Sequence, residues 1–289
     1  MSLPHLGLVL MINLFWGFNF VAGKWVLTDL PPFWGVFFRF LLVLLICLPW
    51  LKLRRPNIKP LIIIGLLGAA HFASMFLALD VSKSAGTMAI ASQLGVPFST
   101  IMAVLFLNER IGWKRISGIL LAFAGIVLIK FEPGGGGENT WAIVFIVMGT
   151  ILFATVSILM RKIRGVTPLE LQAWTGLVSI IPLGLVALIR EGSPVPYVME
   201  AGWHSWVGIF YGAIFSSVIA HAANFYLLQR YPVTTVAPFT LLAPLIGVVS
   251  GILVLGDPIT TGLILGGLLT MGGVGVITLR SVTRAKRLL

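Results

Sequence analysis

Acidic residues are scarce. The 289-residue chain holds nine Asp and Glu against 20 Lys and Arg, and charged residues make up only 10% of it. A water-soluble domain covers its surface with about a quarter charged residues, so this composition excludes one. Cysteine is rarer still. The single Cys47 lies in an apolar run, where it can form no internal disulfide and cannot alone hold zinc. It reads as a small buried side chain. The one glycine-rich stretch, Pro133-Gly134-Gly135-Gly136-Gly137-Glu138, has no Gly-Lys-Ser/Thr after it, which excludes a phosphate loop. No Asp or Glu falls in the middle of an apolar run. That argues against a carboxylate proton relay, and the short loops offer no acid/base or metal cluster for an enzyme. No cofactor and no metal are expected. The first apolar run has no basic segment before it and no small-x-small cleavage site after it, so it reads as a retained helix.

What the chain does have is apolar length. Hydrophobic residues make up 58% of it, in runs of the ~20 residues that cross a ~30 Å hydrocarbon core. The expected fold is an all-α integral membrane protein of ten transmembrane helices. The first five are 5–27, 33–51, 59–79, 84–106 and 114–131. The second five are 140–160, 170–189, 204–228, 233–254 and 261–280. Pro97, Pro238 and Pro244 lie inside the fourth and ninth, where a missing amide and a ring clash kink a helix. The net charge of +11 does not indicate nucleic acid. The basic residues form no groove with interleaved aromatics; they cluster between runs, as in Lys52, Arg54, Arg55 and Lys59. Counted by side, fifteen fall on the face that also holds both termini and four (Lys24, Lys83, Lys130, Arg190) on the other. That bias places both termini in the cytoplasm.

The second half echoes the first. At an offset of 148, Glu109 meets Asp257, Gly118 meets Gly266, Gly125 meets Gly273, and Ala89 meets Ala237. Each half would have five helices. An odd number inverts the second half in the membrane, an architecture common in secondary transporters, with the solute site near the midplane between the repeats. The expected organisation is repeat one over 1–132, a glycine-rich linker over 133–139, and repeat two with a basic cytoplasmic tail over 140–289.

Several short stretches together resemble the drug/metabolite transporter superfamily. They are Trp16-Gly17-Phe18-Asn19-Phe20, Pro31-Pro32, Arg39-Phe40 and Asn108-Glu109-Arg110. The likeness is to its EamA branch of bacterial exporters and covers nearly the whole chain as two repeats. Such a resemblance implies export of amino acids or related metabolites across a bacterial plasma membrane, by a monomer or homodimer. The second half departs from the pattern: Gly256-Asp257-Pro258 stands where the first has Asn108-Glu109-Arg110, and no Trp-Gly opens its first helix. Small multidrug transporters of this superfamily carry a glutamate in helix one. Here there is none, which argues against cationic drugs.

Polar groups inside hydrocarbon mark a cavity or a helix contact. His71 and His221 correspond at an offset of 150, each with a polar residue three positions on, Ser74 and Asn224. Both pairs are candidates to line a central cavity; the rival reading is a bond from each histidine to a neighbouring carbonyl. Trp16, Asn19 and Phe20 share a helix face and are further candidates, with packing as the alternative. Gln93 beside Pro97, Trp174 and Tyr211 complete the set. Arg39 is expected to snorkel outward or to pair with Asp29, with binding of a substrate carboxylate as the lesser alternative, leaving the histidines as the titratable groups at mid-depth and protons as the one ion they could couple. Glu109 and Asp257 read as turn or cap residues. The expected activity is alternating-access export of a neutral or zwitterionic small molecule. Its rivals are import by the same machinery and, in another class, a non-transporting membrane enzyme or scaffold.

Overall fold

A computed structural model describes residues 3–53, 58–107, 111–132, 137–231 and 241–288, and all regular structure among them is helical. In chain order the helices are α1 (Leu3–Val26), α2 (Pro32–Cys47, prolonged by a 3-10 turn, Leu48–Trp50), α3 (Lys59–Val81), α4 (Ala85–Ala91), α5 (Gly95–Leu107), α6 (Trp113–Lys130) and α7 (Thr140–Lys162). There follow α8 (Pro168–Arg190), the short α9 (Val195–Glu200), α10 (Trp203–Tyr211), α11 (Ala222–Leu228), α12 (Leu242–Ser250) and α13 (Thr261–Leu288). Seven stretches among the described residues are long and apolar enough to cross a membrane: Leu3–Val26, Pro32–Trp50, Lys59–Val81, Thr140–Met160, Pro168–Arg190, Trp203–Leu227 and Thr261–Thr278. Ile181, Ile189 and Leu268 point away from the protein on their outer faces. Arg54, Arg55, Asn108, Glu109, Arg110, Ala237, Pro238 and the linker residues 133–136 lie outside the described residues.

Pro97 and Pro244 sit at helix starts. A 3-10 turn, Ser92–Leu94, separates α4 from α5, and Pro97 is the third residue of α5. Pro244 is likewise third in α12. The first amides of a helix have no intrahelical acceptor, so proline there forfeits nothing. The amide beside Pro244, Ala243 N, finds one elsewhere: the fully buried Asn13 of α1 accepts it on Oδ1 at 3.1 Å. The eighth apolar run departs from a single α-helix. Its middle, Gly212–His221, widens into a π-helix between α10 and α11, and a second π segment, Gly251–Leu255, follows α12. No proline accounts for the first; tertiary contacts described below do.

The glycines paired by the 148 offset meet crosswise where α6 crosses α13. A Cβ on Gly118 would lie 2.8 Å from the Gly273 carbonyl oxygen, and one on Gly266 would lie 2.5 Å from that of Gly125. Thus 118 touches the counterpart of 125, and 125 touches the counterpart of 118. That reciprocity is the signature of a contact across a two-fold axis. Between them, Thr270 Oγ1 reaches the Ala122 carbonyl at 3.4 Å, again 148 residues apart. Bare glycine backbones let the two helices pack this closely without a hydrophobic drive.

At the end of the bundle that carries the α1–α2 connection, carboxylates cap helices of the opposite half. Glu191, after α8, accepts the Phe33 and Trp34 amides of α2 at 2.8 and 2.9 Å. Asp29, after α1, accepts Gly202 N and Ser205 Oγ at the start of α10. Glu132, after α6, accepts Gly262 N of α13. Asp257 accepts Ser84 Oγ and Gly86 N of α4, both at 2.9 Å. Gly256, left-handed at φ 70°, ends the π segment and turns the chain towards that cap. An anion at a helix N-terminus satisfies orphan amides and the macrodipole together. The Ser205 hydroxyl and then the Gly202 amide hold Asp29 below the usual carboxylate range, whereas burial raises Glu191 despite its two amide partners.

Two outcomes follow. Gly125→Leu forces α6 from α13 and lowers the melting temperature of the detergent-solubilised protein by several degrees, as overpacking of about 1–3 kcal/mol would; Gly275→Leu, where nothing lies within 4 Å of an added Cβ, leaves it unchanged. Because the Asp29 pKa is depressed on folding, its contribution is full at neutral pH and is lost only as the pH drops below about 4. Melting temperatures taken from pH 6 down to about pH 3 should therefore fall less for Asp29→Asn than for the unaltered protein.

Candidate functional site

Five rings from four elements meet at mid-depth. Trp16 of α1 lies 5.0 Å from His221 at the end of the π segment. His221 in turn lies 5.9 Å from Phe72 of α3 and 6.4 Å from Phe153 of α7. His71 of α3 packs against the same two phenylalanines at 4.8 and 5.1 Å. All five rings are half-buried and touch one another across helices. The two corresponding histidines thus meet in one cluster of rings, together with Trp16.

Their bonding differs. His71 Nδ1 donates to the Gly149 carbonyl of α7 at 2.8 Å. A carbonyl can only accept, so Nδ1 carries the proton, and Nε2 of the neutral ring offers a lone pair. The neighbouring-carbonyl reading therefore holds for one nitrogen of His71. His221 bonds no described residue. Trp16 Nε1 is buried with no acceptor among the described residues, an unmet donor within this cluster.

Arg39 corrects the sequence reading. It neither snorkels nor pairs with Asp29, whose carboxylate is engaged by Ser205 and Gly202. It is 2% exposed. Its NH1 donates to Asn19 Oδ1 at 3.0 Å, its NH2 to Ser216 and Ser217 at 3.0 Å each, and its Nε to Ser217 at 3.2 Å. The guanidinium also lies over the Phe72 ring, 4.4 Å from its centroid. Two adjacent serines reach one cation because the π segment turns fewer degrees per residue than an α-helix. Gly212 makes room: a Cβ there would lie 3.1 Å from NH1. The histidines are therefore not alone at mid-depth. The signal in the sequence was a cation set well inside an apolar run. Ser216, Ser217, Phe72 and Phe153 gave none, since serine and phenylalanine are common in membrane helices.

The other candidates disperse. Asn19 is half-buried and holds Arg39. Phe20 is buried in a core cluster with Leu79, Met88 and Ala89. Ser74 is buried and bonds back to the Ala70 carbonyl of its own helix. Trp174 packs with Leu61, Ile64 and Phe225, its Nε1 buried without a partner among the described residues. Tyr211 donates to the Phe15 carbonyl and packs against the rings of Phe15, Phe18 and Phe215. Gln93 sits half-buried in the 3-10 turn and Asn224 half-buried in α11. No cluster of His, Cys, Asp and Glu able to hold a metal occurs among the described residues.

Comparison with known proteins gives a consistent picture. The chain is 28% identical over 275 residues to a probable amino-acid metabolite efflux pump of Escherichia coli strain K12, covering 92% of each. It is 28% identical over 243 residues to a probable terminal-alkyne amino-acid exporter of Streptantibioticus cattleyicolor, covering 82% of this chain and 79% of that one. A solved crystal structure with 18% sequence identity superposes with a TM-score of 0.67 over 100% of this chain and 99% of the other, which shows the fold. Residues 4–131 and 140–279 each match the EamA-like transporter family, a family of multi-pass membrane transporters and not of enzymes, and the chain belongs to it.

Proposed function

We propose that this protein exports amino acids or closely related metabolites by alternating access through the chamber between its two repeats. The observation that carries the reading is the meeting of His71, His221 and Trp16, drawn from both halves, around one interior space. The names of the Escherichia coli and Streptantibioticus relatives support amino-acid-like solutes and outward movement.

The membrane arrangement belongs to the same proposal. The ten spans are those expected from the sequence, 5–27, 33–51, 59–79, 84–106 and 114–131 in the first half and 140–160, 170–189, 204–228, 233–254 and 261–280 in the second. Repeat one spans 1–132 and repeat two 140–289, joined by the linker 133–139. The fifteen-to-four bias of Lys and Arg puts both termini in the cytoplasm, and the reciprocal glycine contact suits an inverted pair. On that orientation the four carboxylate caps lie on the external face and hold it closed, and the chamber faces the cytoplasm to load solute. Rocking of one repeat against the other would break the caps on one side and release it on the other.

Purified protein in liposomes, loaded with a panel of labelled amino acids, tests the activity. His71→Ala and His221→Ala each lower flux about fivefold, the worth of one lost neutral hydrogen bond of ~1 kcal/mol. Normal flux in both variants, with normal amounts of folded protein, removes the histidines from the site. Orientation is read by single-cysteine labelling. Cys47 is fully buried, so a thiol added at either end reports alone, and both ends should react only from the cytoplasmic side.

A further inference from the structure

The charge inside this protein is unbalanced. A buried ionised group is costly unless an opposite charge pairs with it, and buried arginines usually find a carboxylate. Arg39 has none among the described residues. All its acceptors, Asn19, Ser216 and Ser217, are neutral, and its remaining contact is the Phe72 ring. Of the five guanidinium N–H groups, four are used and one on NH1 is left over. NH1 is also the nitrogen bonded to the half-buried Asn19. Close by, Trp16 Nε1 is a second donor with nothing to accept it. The seven mid-depth residues thus supply a full positive charge and an unmet N–H, and no negative charge.

We infer that Arg39 is the anchor for a carboxylate on the transported solute, and that the solute's amino group is not needed for binding. The inference rests on the transport reading above and narrows it to a class: monocarboxylates with an apolar or aromatic body. The carboxylate takes the spare NH1 proton and displaces neutral acceptors from the guanidinium. A charge-assisted bond replaces neutral ones, and a cation without a counter-ion gains one. The five rings take the apolar body. An ammonium group finds the lone pair of His71 Nε2 but no counter-charge, so an acylated nitrogen serves as well as a free one. The conformation described here keeps the guanidinium behind Asn19 and Phe72. The π segment that holds Ser216 and Ser217 is the part of the wall that must give way. Arg39 therefore also answers to whether a solute is present, since the anion competes directly with the serines.

Three probes decide the matter with the full-length protein in detergent: L-phenylalanine, N-acetyl-L-phenylalanine and L-phenylalaninamide, with binding read by calorimetric titration. The unaltered protein should bind both acids and bind the amide at least about tenfold more weakly, the worth of a hydrogen bond to a charged group. Arg39→Gln should lose that discrimination, with both acids weakened about tenfold or more and the amide unchanged; Arg39→Lys should keep part of it. A merely structural arginine would weaken all three probes alike. The acid–amide comparison in the unaltered protein needs no variant to fold. Equal binding of acid and amide, full acid binding by Arg39→Gln, or no binding of either acid overturns the inference. The two readings separate in proteoliposomes. Flux of solutes lacking a carboxylate, with none of the acids, leaves the transporter and removes the anchor. Acid binding that follows Arg39 without any flux leaves the anchor and removes the transporter.

Discussion

Backbone amides and carbonyls surrounded by hydrocarbon must find their partners inside the protein, and that constraint decides where this chain can depart from a regular helix. Inside its apolar runs it does so at the 3-10 turn Ser92–Leu94 and the π segments Gly212–His221 and Gly251–Leu255. Partners for irregular backbone come from elsewhere in the chain. The start of α12 takes its acceptor from Asn13, the first π segment wraps the Arg39 guanidinium, and Gly251 O receives the Asp257 amide at 3.1 Å. The same rule that makes the protein helical thus supplies partners to its irregular backbone.

Charge is distributed under the same pressure. With nine acidic residues in all, four are spent on capping helices of the opposite half at one end of the bundle. A fifth, the buried Glu138, accepts the Lys83 amide beside them. These bonds add to the Arg39–serine, Asn13–Ala243 and His71–Gly149 bonds and the glycine contacts that also join the halves. Among the described residues no acid bonds to the mid-depth cluster, whose polar groups are a cation, two imidazoles, an amide and an indole N–H. The two halves share a frame without sharing chemistry. His71 is tied to Gly149, while the corresponding His221 stands beside Trp16.

The sequence determined that the solvent is lipid, that the regular structure is helical, and roughly where each apolar run begins and ends. Those properties follow from composition and run length, which are local. It also paired the glycines at an offset of 148 and the histidines at 150, because a nearly constant offset survives in a duplicated chain. The fate of Arg39 was not local. From α2 alone, a cation two turns from a helix end should snorkel. Its burial depends on Asn19 of α1 and on two serines from 177 and 178 residues away, brought together by a helix whose widening no proline marks. Phe20, Ser74 and Trp174 carried the residue types of a site, yet packing turned them inward into cores or onto their own helix. Which polar side chains border a shared space depends on how helices rotate about their axes, and only the assembled tertiary structure decided that.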